Sequence, residues 1–173
     1  PNYTLEAEIL PSHFHKRGAI AAAREGDATN PYRRSSGSQF YIVTGRTYTD
    51  EELDKIENYI QQQTFYTLYL QYLDKLKKQE QKTNQNLDMA LLSVFAQDSA
   101  RKVLSHQPPF KFTSEQRNIY KTIGGAPHLD NSYTVFGEVV QGMDVADRIS
   151  RLERDKNDRP FHDVTMKISP VKK

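Results

Sequence analysis

The chain has 173 residues, with 24 Lys and Arg against 22 Asp and Glu, a formal charge of +2, and 36% hydrophobic residues. So slight a basic excess does not build the clustered field that nucleic acid requires, which excludes nucleic acid as an expected partner. The absence of Cys removes disulfide and thiolate chemistry, and no apolar run approaches the roughly 20 residues of a membrane span.

The length suits one domain, or one domain carrying a large insertion. Pro1 follows no initiating Met or signal-like segment. The chain therefore reads as a processed product or a fragment, and its compartment is unread.

Residues 3–9 (YTLEAEI) alternate as a short strand that Pro11 closes. A polar and basic connection from His13 to Arg17 leads into GAIAAARE, beginning at Gly18. Ala favours a helix here, but Gly18 before the run and Gly26, Asn30 and Pro31 after it leave little length, so a buried strand is predicted. The loop 27–37 (DATNPYRRSSG) then delivers the chain to SSGSQFYIVTG, residues 35–45. There Gln39, Tyr41 and Val43 alternate with Phe40, Ile42 and Thr44. This predicts a strand with Phe40 and Ile42 packed inward and a site on the Gln39–Tyr41 face. The competing reading is an edge strand with one incidental Gln.

From Tyr48 the pattern turns helical. Thr49 and Asp50 are good N-caps, and Glu51 and Glu52 suit a first turn, where the helix dipole favours carboxylates. Leu53, Ile56 and Ile60, then Phe65, Leu68, Tyr69, Tyr72 and Leu76, form an amphipathic stripe better explained by packing than by a cofactor. Asn84 or Asn86 is expected to cap another helix, with Leu87, Leu91, Val94 and Phe95 inward. Pro108 and Pro109 end it. Thr113 to Gln116 has the form of a capping box, and Gly124 and Gly125 supply a stop. Strand character returns over residues 132–140 (SYTVFGEVV), with Gly137 a bulge or close-approach point. A helix from Met143 carries Val145, Ile149 and Leu152, and Val164, Met166 and Ile168 alternate as a closing strand. The divisions expected are 1–47 and 122–173 for a β domain and 48–121 for an inserted helical unit.

Taken in order, RGAIAAARE, SSGSQFYIVTG and PHLDNSYTVFGEVVQGMDV resemble the central and C-terminal parts of the cyclophilin family of peptidyl-prolyl cis-trans isomerases. The likeness covers residues 3–47 and 122–173. It implies a mainly β fold, the family's closed barrel, incomplete in this chain and interrupted by helices where the family has a short loop. It also implies isomerisation of X-Pro bonds in proline-containing peptides or unfolded clients, without cofactor or metal.

The family's site carries over where residues match. Gln39 resembles the glutamine that holds the substrate backbone and is the one catalytic candidate present. Tyr41 stands in place of the phenylalanine lining the proline pocket, Leu129 matches the leucine on its wall, and Tyr133 replaces a pocket histidine. Ala23 and Arg24 fall at the Ala-Asn pair that contacts the peptide. His128 replaces the Trp of drug-sensitive members, so strong cyclosporin binding is not expected. The FHRV-like segment with the catalytic arginine and the QGGD-like segment do not occur in this chain. Pro1 is therefore read as falling part way through the domain, with the missing segment or a second chain expected to complete the barrel and the isolated chain expected to be weak or inactive. Members with such insertions resemble bacterial envelope or cytoplasmic foldases.

Three other readings compete. The groove can be a non-catalytic proline-peptide binding or chaperone module with the helices as a docking arm. His13 and His15 suggest a metal site, though a His-x-His pair on a connection is more often solvent-exposed. Ser36 and Ser38 suggest a hydrolase, but no nucleophile elbow accompanies them.

Overall fold

The computed structural model describes residues 3–83 and 88–171. Its centre is a three-stranded antiparallel sheet in which β2 (Ala19–Ala22) lies between β4 (Phe40–Ile42) and β5 (Val135–Glu138). The small side chains of β2 make this possible. Ala19 and Ala21 are almost fully buried and pack with Val43 and Val135, with Tyr41 and Ala126 against them. The alanine run is thus the buried strand expected of it. The ladder to β5 shifts register between Ile20 and Ala21, and Gly137 pairs with Ile20 at that irregularity. A second small sheet joins β1 (Thr4–Leu5) to β3 (Ser35–Ser36).

β4 has the expected alternation with the opposite phase. Tyr41 and Val43 join the core, whereas Phe40 and Ile42 are 39% and 37% exposed. The phenol can pack inward because a buried partner takes its hydroxyl, so the more polar residue faces the interior without an unsatisfied group. On the other side Phe40, Ile42 and Phe136 form an apolar sheet face open to solvent among the described residues.

The helices are α1 (Asp50–Thr83), α2 (Met89–Ser105), α3 (Ser114–Thr122) and α4 (Met143–Ser150). Thr49 caps α1: its hydroxyl accepts from Glu52 N, and the Glu52 carboxylate accepts from Thr49 N at 2.8 Å. Leu53 and Ile60 bury the expected face against Phe112 and Tyr120, with Ile56, Tyr48 and Phe14 around them. Further along α1 the stripe of Phe65, Leu68, Tyr69, Tyr72 and Leu76 is only half-buried. In α2 the inward side is Leu92, Ala96 and Ala100, and the residues expected inward, Leu91, Val94 and Phe95, are exposed. The small alanines let α1 and α2 come close, which selects a face next to the bulkier stripe. Asp88 caps α2 by accepting from Ala90 N at 3.0 Å; Asn84, Asn86 and Leu87 lie outside the described residues. Thr113 and Gln116 form the predicted capping box of α3.

Two further expectations need correction. Strand character at residues 3–9 is limited to Thr4–Leu5, and residues 161–171 form no strand, with Met166 and Ile168 exposed. A strand exists only where another backbone pairs with it, and alternation alone does not provide that partner. Likewise Val145 and Ile149 of α4 remain exposed, as does Leu152, which lies beyond the end of that helix. The chain is not mainly β: strands of two to four residues accompany helices of 34, 17, 9 and 8, and no closed barrel is present among the described residues.

Candidate functional site: an aromatic wall on a buried hydrogen-bonded chain

The interior side of β4 ends in a hydrogen-bonded chain that begins behind it. His15, just ahead of β2, is 1% exposed. Its backbone N–H donates to Asp130 Oδ1 at 2.8 Å, and its Nδ1 lies 2.7 Å from the same oxygen. Asp130 is also buried and follows a 3-10 turn at Pro127–Leu129. Its second oxygen accepts the Tyr120 hydroxyl from α3 at 2.5 Å. On the far side His15 Nε2 lies 3.0 Å from the Tyr41 hydroxyl. His15 is therefore not the solvent-exposed histidine expected from the His-x-His pattern; of that pair, His13 is the exposed member. Among the described residues, no three His, Asp or Glu side chains converge as metal ligands.

Tyr41 displays its ring to Tyr133, edge to face, with centroids 5.7 Å apart. The guanidinium of Arg24 lies 4.6 Å from the Tyr133 ring centroid. Arg24 is held by Asp27 at 2.6 Å and donates Nε to the Ser132 carbonyl at 2.8 Å. Asp27 in turn pairs with Arg33, whose guanidinium also donates to Thr67 of α1 and to the Asn131 carbonyl. Arg33 adopts a left-handed backbone, φ 54°, which turns its side chain into this network. Burial pushes the Asp27 pKa up, but hydrogen bonds from Thr67 and Arg33 and the charges of Arg33 and Arg24 outweigh it, and the net shift is downward. The cation over Tyr133 thus has a fixed counter-ion.

Of the residues expected at the site, Arg24, Tyr41 and Tyr133 form one cluster. Ala23 adjoins it, its N–H donating to the Gln39 carbonyl at 2.9 Å. The Gln39 side chain is exposed and lines, with Arg24, Asn30, Arg34 and Ser36, a neighbouring cavity of about 490 Å³ rather than the aromatic cluster itself. His128 and Leu129 sit on the 3-10 turn that delivers Asp130. Leu129 is half-buried and His128 keeps solvent contact. Partial burial, and then the nearby His15, hold the His128 pKa below the ordinary imidazole value, with Asp130 opposing. Burial raises the pKa of Tyr41, so it stays a neutral phenol. Sequence reasoning missed His15, Asp130 and Tyr120 as parts of the site. The available signal was the Asp that closes PHLD, matched to a histidine 115 residues earlier.

Residues 111–171 match the family model of cyclophilin type peptidyl-prolyl cis-trans isomerase/CLD. The chain is 40% identical over 75 residues to peptidyl-prolyl cis-trans isomerase CYP71 of Arabidopsis thaliana, covering 39% of this chain and 12% of that protein. It is 40% identical over 68 residues to peptidyl-prolyl cis-trans isomerase-like 2 of Rhizopus delemar, covering 39% of this chain and 13% of that protein. It is 45% identical over 50 residues to peptidyl-prolyl cis-trans isomerase-like 3 of Gallus gallus, covering 28% of this chain and 31% of that protein. The chain therefore spans about an eighth of the length of the first two relatives.

Proposed function

We propose, on the premise that this chain carries cyclophilin-type peptidyl-prolyl isomerase sequence, that it contributes the proline-binding wall of a peptidyl-prolyl cis-trans isomerase. Rotation about an X-Pro bond is opposed by amide resonance, a barrier of about 18–20 kcal/mol. Lowering it requires no nucleophile or metal, only tighter binding of the twisted amide than of either planar form. A dry wall for the pyrrolidine ring and a donor toward the prolyl nitrogen meet that need. Tyr41 and Tyr133 supply the wall, Leu129 and His128 its edge, and Gln39 with Ala23 and Arg24 the backbone anchor. The observation that carries this reading is the edge-to-face Tyr41–Tyr133 pair with Arg24 held over it, at positions where the family places its peptide contacts.

The arginine donor of the family has no counterpart in these residues. The open apolar face of Phe40, Ile42 and Phe136 is suited to further polypeptide, from the same protein or a second chain, that brings the donor and completes the sheet. In this reading residues 48–121 are a helical unit set between two parts, 1–47 and 122–173, of the peptide-binding domain.

The test is exchange NMR on a proline tetrapeptide with the chain alone and with the chain joined to an FHRV-bearing segment. Peptide-dependent shifts at Tyr41 and Tyr133, with cis-trans exchange accelerated in the joined protein, support the proposal. Binding without acceleration in the joined protein makes this a binding module, and no binding at either tyrosine removes the assignment.

A further inference from the structure

Helix α2 carries its bulkier side chains on the side away from α1. Leu92, Ala96 and Ala100 are buried, whereas Leu91, Val94 and Phe95 are 41%, 51% and 47% exposed. A lone exposed Leu or Phe is ordinary on a protein surface, but these three adjoin on one helix face. Asp88, Leu91, Phe95, Asp98 and Lys102, all exposed, follow one another at steps of three and four. That is the spacing of a seam along which two helices pack side by side, and Val94 widens its apolar middle.

The charges make this seam complementary to itself in one direction. Asp88 stands seven residues before Phe95, and Lys102 seven residues after it. Two copies laid antiparallel about Phe95 bring Phe95 against Phe95 and each Asp88 against the other copy's Lys102, a closed two-fold contact in which one patch serves both sides. A parallel pair would set Asp88 against Asp88 and Lys102 against Lys102, which repel. Asp98 is paired with Arg101 of its own helix at 3.2 Å, and Arg101 leans back toward the Phe65 ring of α1, which leaves Lys102 as the cation of the seam. Asp88 accepts the Ala90 N–H through Oδ1 and has its other oxygen for the lysine.

We infer that the outer side of α2 is a self-association surface whose partner is a second copy of this chain, antiparallel across Phe95. Leu91, Val94 and Phe95 of both copies exclude water at its centre, and the Asp88–Lys102 pairs at its two ends fix the direction. α2 has 17 residues, about 25 Å of helix, so the contact is small and the dimer forms and parts with concentration. This inference stands on α2 and is independent of the proline-peptide reading.

Sedimentation velocity on the full chain, from micromolar to millimolar concentration, tests it. The wild type should pass from monomer to dimer. Phe95→Glu puts two like charges at the centre and should raise the dissociation constant about tenfold or more. Lys102→Ala should raise it about threefold through the loss of two exposed ion pairs, whereas in a parallel pair the same change removes a repulsion and tightens the dimer. Phe95 and Lys102 are exposed, so both variants should keep the wild-type circular dichroism; Val94→Ser, also at an exposed position, replaces Phe95→Glu should that variant lose helicity. A chain that stays monomeric throughout, a dimer that survives Phe95→Glu unchanged, or a dimer that Lys102→Ala tightens overturns the inference.

Discussion

Tyr120 of α3 donates its hydroxyl to Asp130 at 2.5 Å, and through Asp130 a residue of the helical segment supports the ring that forms the aromatic wall. Tyr120 is fully buried and also packs edge-on against Phe112 and Phe14. One side chain thus serves both the hydrophobic core of the helices and the polar chain beneath Tyr41. Burial first, and then Asp130, raise its pKa, so it remains a donor.

Tyr120→Phe keeps the ring packing and removes one donor from a buried carboxylate. The expected loss is about 1–3 kcal/mol, the cost of leaving such a group unsatisfied. Urea unfolding measures it, and no change in midpoint would mean that Asp130 finds another donor.

Glu57 of α1 is buried and accepts from Phe112 N, Lys111 and Arg117. Burial raises its pKa, but these three partners outweigh it and the net shift is downward. A carboxylate whose folded pKa lies below its unfolded value contributes stability that is present above the unfolded value and is lost as pH falls through the folded one. Glu57→Gln keeps an acceptor for the Phe112 amide and gives up both ion pairs. It should cost about 2–3 kcal/mol near neutral pH and flatten the acid limb of a stability-pH curve followed by urea unfolding.

Gly125 lies where two backbone segments come too close for a side chain. A Cβ there would lie 2.2 Å from the His15 carbonyl oxygen and 2.7 Å from the Tyr120 ring. The same glycine pairs with Lys16 and Arg46 in isolated bridges. Gly125→Ala must push apart the two strands of chain that hold His15 and Tyr120, for a loss of about 2–4 kcal/mol. Thermal unfolding measures the loss, and changed ring resonances of His15 in the folded variant would report the displacement.

His128 gives a pH signature at the edge of the wall. Its folded pKa lies below the ordinary imidazole value of about 6.5. Between the two values the folded chain holds fewer protons than the unfolded chain, so stability rises with pH across that window and falls on acidification. An NMR titration should place the His128 ring transition below the ordinary value, and His128→Asn should remove this part of the pH slope. A transition at or above the ordinary value would mean that neither partial desolvation nor the nearby His15 disfavours the charged ring.

Much of the local structure was legible because its signals are local. Ala19 and Ala21 between turn-forming residues marked a buried strand, and Thr49 and Thr113 announced helix starts through hydroxyls that satisfy amides three residues away. The alternation of Gln39 to Val43 was read with the right period and the wrong phase. Periodicity states which residues share a face, whereas the packing opposite decides which face is inside. The same ambiguity rotated α2 by one position, so that Leu92, Ala96 and Ala100 meet α1 and Leu91 and Phe95 do not.

The order of residues by itself determined the buried strand at Ala19–Ala22 and the capped starts of α1 and α3, since spacing along a chain sets side-chain direction and backbone satisfaction over a few residues, whereas Arg24, Tyr41 and Tyr133 stood together as candidates only through the family resemblance. Only the tertiary structure decided that Tyr41 faces inward, that His15 is buried, and that Asp130 and Tyr120 stand behind it. Those facts depend on segments up to 115 positions apart meeting in space, where loss of water makes each polar group choose a partner that no local pattern specifies.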